Sequence, residues 1–515
     1  MRPPLLWLAL AAATASAHAN VTLAPLFADH AVLQSGKPVP VWGHADPGEK
    51  VVVKYLESTA ASVADPAGRW MAQLPAMQAQ AGGADLVVTG KNSVSIRDVV
   101  VGEVWLCSGQ SNMEFTVYDP KSTGYRLKNG EAEAAAASFP LVRQFTVARQ
   151  IAEKPADAVG GAWTTCRPET AGRFTAVGYF FARDIFRRFG VPVGIIDCPW
   201  GGTPVESWMS PATLAGDPAF AVVGERWKQA LAEYPARKTA FNAAIAEWTR
   251  EEAAEATAGE ARHSAFLKTH PRPREPVGPG SPWMPACLFN GMVHPLIPYG
   301  IRGVLWYQGE SNAPHASEYH RLFSAMIQDW RSQFGQGDFP FYWVQLASFN
   351  VPGDPTGASW AWLREAQAQT LSLPATGQAL AIDIGDPDNI HPGNKQEVGR
   401  RLALIAKARV HGLSVDYSGP VYSGATAEGR SMRVHFEFAD NGLTAAGKPL
   451  QAFELAGADR KFHPAAAAIS GSTVVVRAAE VPAPVAVRYA WQNAPDANLF
   501  NGAGLPATPF RSDNW

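Results

Sequence analysis

The sequence predicts an α/β protein: a three-layer α/β/α domain with a parallel sheet, flanked by N-terminal and C-terminal β-rich modules. Two observations support this class. In the middle of the chain, apolar runs of strand length alternate with helical patterns, which is typical of a parallel sheet covered on both faces. Towards both ends, short alternating runs stand between Pro- and Gly-rich turns, which is typical of antiparallel β structure. The apolar runs are residues 99–106, 193–197, 303–307, 341–346 and 379–384, and the helical patterns are residues 177–189, 318–334, 362–371 and 395–410.

The composition supports a folded chain without a strongly charged partner. The 515 residues carry a net charge of −2, with 47% hydrophobic and 17% charged residues. This content is too apolar for intrinsic disorder. The balanced charge gives no basic footprint for nucleic acid, so we expect no nucleic-acid partner.

Residues 1–19 have the pattern of a secretory signal peptide. Arg2 precedes an apolar stretch, and Ala17-His18-Ala19 fits a small-residue cleavage site before Asn20. Cleavage after Ala15-Ser16-Ala17 is an alternative, as is retention of the stretch as a membrane anchor. No later run is long and apolar enough to span a bilayer. We therefore expect export to the periplasm or medium, with no membrane insertion after the signal is removed.

The chain divides into three predicted parts after the leader. Residues 20–97 read as a small β-sandwich, residues 98–411 as the α/β domain, and residues 412–515 as a β-rich module. Residues 215–282 interrupt the strand–helix order. Their first part, residues 226–267, is rich in Ala and Glu and favours helix, whereas residues 270–282 are rich in Pro and Gly. We expect this insertion to wall or cover the functional site.

The four cysteines do not suggest a metal or redox site. Cys107, Cys166, Cys198 and Cys287 contain no CxxC pair. Export permits disulfides, and four cysteines allow three complete pairings. Buried free thiols are equally compatible with so large a chain.

Ser111 is the first candidate for chemistry. It lies in Gly109-Gln110-Ser111-Asn112-Met113, directly after the first apolar run of the α/β region. Ligands of an open α/β sheet bind beyond the carboxyl ends of the strands. A serine at such a strand-to-helix turn can attack a substrate, with developing negative charge near backbone N–H groups. The competing interpretation is a helix-capping serine.

His391 and Asp388 are the second candidates. A nucleophilic serine needs a base, and a histidine base needs an orienting acceptor. Asp388 and His391 lie three residues apart after the last apolar run and can share one loop. Asp386 and Asp383 compete for the role of the acid, with Asp383 interpreted as structural.

Two further peptides follow strands at the same predicted edge. Residues 199–208 contain Trp200, Gly201 and Gly202, and the two glycines permit close approach of backbone N–H groups to a ligand. A tight turn is the simpler interpretation of this peptide. In the second peptide, residues 306–312, Gln308 can donate to an oxyanion, and Glu310 can be either a site residue or a buried structural acceptor.

Taken together, the four peptides resemble the SGNH (GDSL-like) hydrolases, specifically the sialate O-acetylesterase-like carbohydrate esterases. The resemblance covers most of the mature chain and is strongest in GQSNM, WGGTPVESW, WYQGESN and DxxH, in that order. It implies that Ser111 is the nucleophile, His391 the base and Asp388 the acid. It also implies an oxyanion hole formed by the N–H groups of Ser111 and of Gly202 or Gly201.

The sequence departs from the wider superfamily at one point. That superfamily adds an oxyanion-hole Asn from a GxND block, whereas this chain has QGESN, as in the resembling branch. We therefore predict Gln308 as the substitute donor, with bracing of its own loop as the alternative. Trp200, Glu310 and Asn312 are predicted to contact substrate.

The function expected from the resemblance is a serine esterase that removes O-acetyl groups from sugars without a metal or cofactor. The expected partner is an O-acetylated sugar or glycan. A plant polysaccharide such as acetylated xylan is the alternative to sialic acid, whose carboxylate would favour an Arg or Lys in the site. A non-catalytic carbohydrate-binding protein is the alternative from another class. The joint presence of Ser111, Asp388 and His391 argues against it.

Overall fold

The computed structural model describes residues 20–122 and 125–515. The leader predicted over residues 1–19 lies outside the described residues. Within the described ranges, no helix has both the length and the apolar character needed to cross a bilayer.

The N-terminal module consists mainly of short antiparallel strands, several of them with alternating burial. Three of its strands form one sheet, in the order β1-β3-β6, and β4 pairs with β5 and β7 in a second. In β6 every second side chain is buried, as expected for a strand with one face on a core. The strands are β1 (Thr22–Leu23), β2 (Val32–Gln34), β3 (Val39–His44), β4 (Lys50–Tyr55), β5 (Ser58–Val63), β6 (Arg69–Leu74) and β7 (Gln80–Thr89).

One long strand, β8 (Ser93–Gly109), joins this module to the central sheet. Its first half pairs with β2 and β7, and its second half lies in the middle of the central sheet. The boundary predicted between residues 97 and 98 falls within this strand. The β module and the α/β domain therefore share continuous backbone hydrogen bonding.

The central region alternates strands and helices as the sequence predicts. Its elements are α1 (Ser111–Glu114), α2 (Gly130–Ala135), β9 (Phe139–Val147), β10 (Gly161–Cys166), α3 (Pro168–Ala171), α4 (Ala176–Phe189), β11 (Val193–Pro199), α5 (Pro211–Gly216), α6 (Ala221–Thr257), α7 (Glu260–Thr269), β12 (Gly303–Tyr307), α8 (Ala316–Phe334), β13 (Phe341–Val344), α9 (Ser359–Gln369), β14 (Thr376–Ala379) and α10 (Lys395–Arg409).

The central strands run in the order β10-β9-β11-β8-β12-β13-β14. All neighbours are parallel except β10, which is antiparallel to β9 at the edge. Pro199 of β11 and Tyr307 of β12 both lie opposite Gly109 of β8. The carboxyl ends of these three strands are therefore level, and the peptides that follow them meet at one edge.

The sheet is covered on both faces, which confirms the predicted α/β class with β-rich flanks. Along β8 and β12, successive side chains enter different apolar clusters. Leu106 and Trp306 pack in the cluster that includes α8 and α9, whereas Cys107 and Leu305 pack in the cluster that includes α4 and α10. Both faces need apolar side chains, which is why these strands read as continuous apolar runs.

The predicted extent of the last central strand is wrong. Residues 379–384 were expected to form a strand, but β14 ends at Ala379 and Ile382–Ile384 forms a 3₁₀ turn. Ile382 is buried in the core of the C-terminal module rather than in the sheet. Asp383 binds the guanidinium group of Arg401 on α10, with contacts of 2.6 and 2.7 Å, which fits its expected structural role.

The insertion forms two helices, as its composition predicts. α6 is 37 residues long, and Gly259, with φ of +119°, separates it from α7. Residues 270–282 form no helix or strand and run back along α6. There the indole N–H of Trp248 donates to His270 O at 2.8 Å, and Lys238 pairs with Glu275.

The C-terminal module is a β structure with its own core. Its sheets have the orders β15-β16-β21-β20, β19-β18-β22-β24 and β17-β23. The fully buried Arg364 of α9 fixes the module to the α/β domain by donating to Gln492 O and Asn493 O, both at 2.7 Å. The strands are β15 (Val421–Glu428), β16 (Ser431–Glu437), β17 (Leu443–Thr444), β18 (Phe453–Ala456), β19 (Phe462–Pro464), β20 (Ala466–Ser470), β21 (Thr473–Arg477), β22 (Ala486–Tyr489), β23 (Phe500–Asn501) and β24 (Phe510–Arg511).

The cysteines are structural apolar residues. Cys107, Cys166, Cys198 and Cys287 are all buried free thiols. Burial raises the pKa of each thiol, so none is poised as a thiolate nucleophile. Of the two possibilities left open by the sequence, the structure has the free thiols.

Candidate active site

The turn after β8 places Ser111 at the sheet edge. Gly109 has φ of +131°, and a Cβ atom there would lie 2.2 Å from Tyr307 O, so only glycine fits. Gln110 is extended, and Ser111 begins α1. The Ser111 side chain is mostly buried but not sealed off, with 8% exposure.

The loop before α10 brings His391 to this serine. His391 Nε2 lies 2.9 Å from Ser111 Oγ, although the two residues are 280 positions apart. Asn394 caps α10 by accepting from the Glu397 N–H, and Gly393 packs so closely on Arg126 O that a Cβ would clash. The predicted nucleophile and base are therefore in direct hydrogen-bond contact.

The environment of His391 favours the neutral imidazole. Burial, together with the nearby charge of Lys395, lowers the pKa of His391 to about 4. A neutral imidazole is the form that can accept a proton from a serine hydroxyl. At neutral pH His391 is therefore already in the form required of a base.

The structure does not bring Asp388 to His391. Asp388 is exposed, and its N–H donates to Asp386 Oδ1 at 3.0 Å. The backbone N–H of His391 donates in turn to Asn389 Oδ1 at 2.9 Å. Within residues 20–122 and 125–515, the hydrogen bonds of the His391 ring include Ser111 Oγ but no carboxylate.

Gly201, the first of the two glycines after β11, lies beside the nucleophile. A Cβ on Gly201 would be 3.4 Å from Ser111 Cβ. The Gly201 N–H is already engaged, because it donates to Glu114 Oε2 at 2.6 Å. Gly202 has φ of +75°, and in the described part of the chain neither its N–H nor that of Ser111 has an acceptor. Of the three predicted backbone donors, Ser111 and Gly202 are the available ones.

Gln308 has the bracing role rather than the predicted role of oxyanion donor. Its side chain is fully buried, and Nε2 donates to Thr203 O at 3.2 Å and to Asn312 Oδ1 at 2.7 Å. Its Oε1 accepts from the Tyr319 hydroxyl at 2.8 Å. Both amide hydrogens are consumed inside the protein, so neither is free for a substrate oxygen.

Asn312 is also a brace rather than a substrate contact. It is 2% exposed and donates to Glu206 Oε2 at 2.8 Å. Its Oδ1 accepts from Val205 N–H and from Gln308. Asn312 thereby joins the peptide after β12 to the peptide after β11, and at 2% exposure it has almost no surface open to a sugar.

Glu310 lies in a buried polar network that the sequence did not reveal. Asn112 Nδ2 donates to Glu310 Oε1 at 2.6 Å and to Ile390 O at 3.0 Å. Lys395 Nζ donates to Asn112 Oδ1 at 2.5 Å. Asn112 therefore ties the nucleophile turn to the residue preceding His391. Its position inside GQSNM was the one available signal for this role.

Burial sets the charges of this network. Lys395 is fully buried between the rings of Phe115 and Tyr307, at 4.8 and 5.2 Å. Burial lowers the pKa of Lys395 to about 7, although the charge of Glu310 opposes the change. Burial also raises the pKa of Glu310. Each partner thus limits the cost of burying the other.

Tyr125 and Arg149 also border the site, although no sequence motif indicated either residue. The Tyr125 ring meets the His391 ring edge to face at 4.7 Å. Burial raises the pKa of Tyr125, and a hydrogen bond to Ser111 acts in the opposite direction. Arg149 follows β9, pairs with Glu114 at 2.5 Å and lies over the Trp200 ring at 5.3 Å. These residues wall the mouth of the site, next to the predicted substrate contact Trp200.

Comparison with known proteins identifies carbohydrate esterases similar to this chain. Residues 288–407 match the family model described as carbohydrate esterase, sialic acid-specific acetylesterase. Sialate O-acetylesterase of Mus musculus is 30% identical over 91% of this chain and 90% of its own, and that of Rattus norvegicus is 29% identical over the same shares. A carbohydrate acetylesterase structure from Xanthomonas citri is 39% identical, with a TM-score of 0.80 over 96% of this chain and 100% of that one.

These relatives are carboxylic ester hydrolases, and they match nearly the whole chain rather than the serine motif alone. The chain therefore belongs to the sialate O-acetylesterase-like family of carbohydrate esterases.

Proposed function

We propose that this protein removes O-acetyl groups from a carbohydrate through an acetyl-enzyme on Ser111. The observation that carries the proposal is the 2.9 Å contact between Ser111 Oγ and His391 Nε2, in an environment that keeps the imidazole neutral. A serine hydroxyl is a weak nucleophile until an adjacent base accepts its proton.

The reaction follows from these positions. Ser111 Oγ attacks the acetyl carbonyl while His391 Nε2 takes the hydroxyl proton. We propose that the N–H groups of Ser111 and Gly202 bind the oxyanion, which is supported by the close approach of Gly201 to Ser111. His391 then protonates the departing sugar oxygen. Water, deprotonated by His391, attacks the acetyl-Ser111 ester. The bond between Ser111 Oγ and the acetyl carbon then breaks, His391 returns the proton to Oγ, and acetic acid leaves and ionises to acetate.

We propose that Asp388 assists His391 as a solvent-exposed acid. The support is its place three residues before His391 in the same loop. Its exposure limits the effect, because water screens the attraction between a carboxylate and an imidazolium. Asp388 is thus proposed to stabilise the protonated base only weakly.

For the substrate, we propose an O-acetylated sialic acid. The relatives are named sialate O-acetylesterases, and the Arg149 side chain, 48% exposed, holds its guanidinium group over the ring of Trp200. A guanidinium group binds carboxylates well. Glu114 neutralises part of the charge of Arg149. The alternative substrate is an acetylated plant polysaccharide such as xylan.

The test is acetate release from O-acetylated sialosides, acetylated xylan and simple sugar acetates by the wild-type protein, with Ser111→Ala as control. We expect release from at least one sugar and none from the control. A preference for sialosides that is lost in Arg149→Gln would support the sialate proposal. A preference for xylan would instead indicate the plant polysaccharide as the substrate. Absence of release from every sugar would overturn the acetylesterase function.

Export of the mature protein is proposed on the leader pattern of residues 1–19 alone. Mass spectrometry of the protein from the periplasm or medium should give an N-terminus at Asn20. A cytoplasmic protein that keeps Met1 would contradict it.

A further inference from the structure

A cavity of about 200 Å³ lies between the insertion and the active-site edge of the sheet. One wall is a single face of α6, formed by Val223, Arg226, Trp227 and Ala230. The spacing of three, four and seven residues places these side chains together on one side of a helix. The cavity is therefore a built feature of this helix face rather than a gap between loops.

The opposite wall comes from the chain that returns from the insertion. Val277, Trp283 and Pro285 line it, and Trp283 is 38% exposed. This return is held in place, because Ala286 N–H donates to Glu206 O at 3.0 Å. Two indole rings, Trp227 and Trp283, thus border one small cavity.

The floor belongs to the peptides that also build the active site. Glu206 comes from the peptide after β11, and Ser311 and His315 come from the peptide after β12. Gln110, the neighbour of the nucleophile, accepts from Ser311 N–H through its Oε1 at 3.4 Å. The cavity therefore borders the catalytic edge directly, on the side of the insertion.

The polar groups of the cavity are fixed in place. Arg226 donates from Nη1 to both carboxylate oxygens of Glu318 at 2.8 Å, and its Nη2 lies 3.7 Å from Glu206 Oε1. Within the described chain, this Nη2 is buried without a hydrogen-bond partner. Indole faces beside a fixed donor and a carboxylate match the chemistry of a sugar ring, which has apolar faces and a rim of hydroxyl groups.

We propose that this cavity is a subsite for the sugar unit next to the acetylated one, so that the preferred substrate is an oligosaccharide or polysaccharide. The proposal rests on the proposed acetylesterase function and goes beyond it by extending recognition to a second sugar. The insertion would then select the length of the glycan, whereas Ser111 and His391 act on the ester.

The test compares substrates that differ only in the neighbouring sugar: O-acetyl sialyllactose against free O-acetyl sialic acid, and acetylated xylotetraose against acetylated xylose. Trp283→Ala should raise KM about five- to tenfold for the longer member of the pair that the enzyme uses, with kcat unchanged. Its turnover of the shorter member and of p-nitrophenyl acetate should stay at the wild-type level. Trp515→Ala is the matched control, since Trp515 is also 38% exposed but lies in the C-terminal module.

Trp227→Phe provides a second variant with a smaller change in the helix face, and it should raise KM for the same substrate. Equal KM values for wild type and both variants on the longer substrate would overturn the subsite. So would a parallel loss on p-nitrophenyl acetate, which would show that the tryptophans support the fold or the reaction itself. If the wild type turns over p-nitrophenyl acetate but shows no preference for the longer sugars, the subsite fails while the esterase function stands.

Discussion

The peptides after β8 and β12 are similar in sequence and lie side by side, yet they do different work. In GQSN the hydroxyl of Ser111 contacts the base, whereas in QGESN both amide hydrogens of Gln308 are used inside the protein and Asn312 donates to the buried Glu206. Ser111 retains some exposure, and Gln308 has none. A polar residue at a strand end therefore contributes chemistry only if its donors or acceptors remain free.

The largest difference between the two peptides is expected in turnover. Ser111→Ala should lower kcat by at least about 10⁴-fold, because the nucleophile and its base act as one unit. Its melting temperature should stay within a degree or two of the wild type, since the lost hydroxyl serves the reaction rather than the core. Steady-state hydrolysis of p-nitrophenyl acetate and a thermal melt measure both. Substantial residual turnover would move the nucleophile elsewhere.

Gln308→Ala should show the reverse pattern. It removes the buried hydrogen bonds of the Gln308 side chain with Thr203 O, Asn312 Oδ1 and the Tyr319 hydroxyl, which should destabilise the fold by roughly 2–4 kcal/mol. The kcat should fall less than about tenfold. Gln73→Ala, on the exposed face of β6, controls for loss of a glutamine side chain. A well-folded Gln308→Ala with a 100-fold lower kcat would return Gln308 to the oxyanion hole.

The pH dependence of activity should report the protonation of His391. Activity requires neutral His391, so the acidic limb of kcat/KM should lie near pH 4 rather than near the ordinary histidine value of 6.5. Protonated Lys395 opposes protonation of His391, and because its own pKa is about 7 it is charged throughout this limb.

Lys395→Met should therefore move the acidic limb to higher pH. Lys407→Met, on the same helix but paired with Asp184, should leave the limb in place. Kinetic pH profiles of the three proteins, taken where circular dichroism shows them folded, check this. A limb near pH 6.5 in the wild type would contradict the burial argument.

The smallest expected effect on kcat is that of replacing Asp388, the proposed acid. Asp388→Asn should lower kcat by about fivefold, because an exposed carboxylate stabilises a neighbouring charge only weakly. Asp386→Asn is the matched control in the same turn and should have no effect beyond error. Equal kcat values for the two variants would remove Asp388 from the mechanism. A loss limited to Asp386→Asn would show that the wrong acid was chosen.

Apolar runs in the sequence predict the buried strands of the parallel sheet. The parallel strands β8, β11, β12 and β13 read as apolar runs because both their faces are buried. The 379–384 run misled because Ile382 serves the neighbouring module rather than the sheet. β9 and β10 were not identified, although β9 delivers Arg149 to the site.

For the active site, the order of motifs predicted the Ser111–His391 contact across 280 positions. It could not predict that both amide hydrogens of Gln308 are bound and that Asn312 is buried against Glu206, because these contacts depend on partners from distant parts of the chain. The roles of Asn112 and Lys395 depend in the same way on hydrogen bonds between residues that are far apart in the sequence.

Covalent labelling identifies the nucleophile. The wild-type protein is treated with a fluorophosphonate, digested and mapped by mass spectrometry, with Ser111→Ala treated in parallel. We expect one adduct, on Ser111, appearing as esterase activity disappears, and no adduct in the variant. An adduct on another serine with Ser111 unmodified, or full inactivation without an adduct on Ser111, would contradict this assignment.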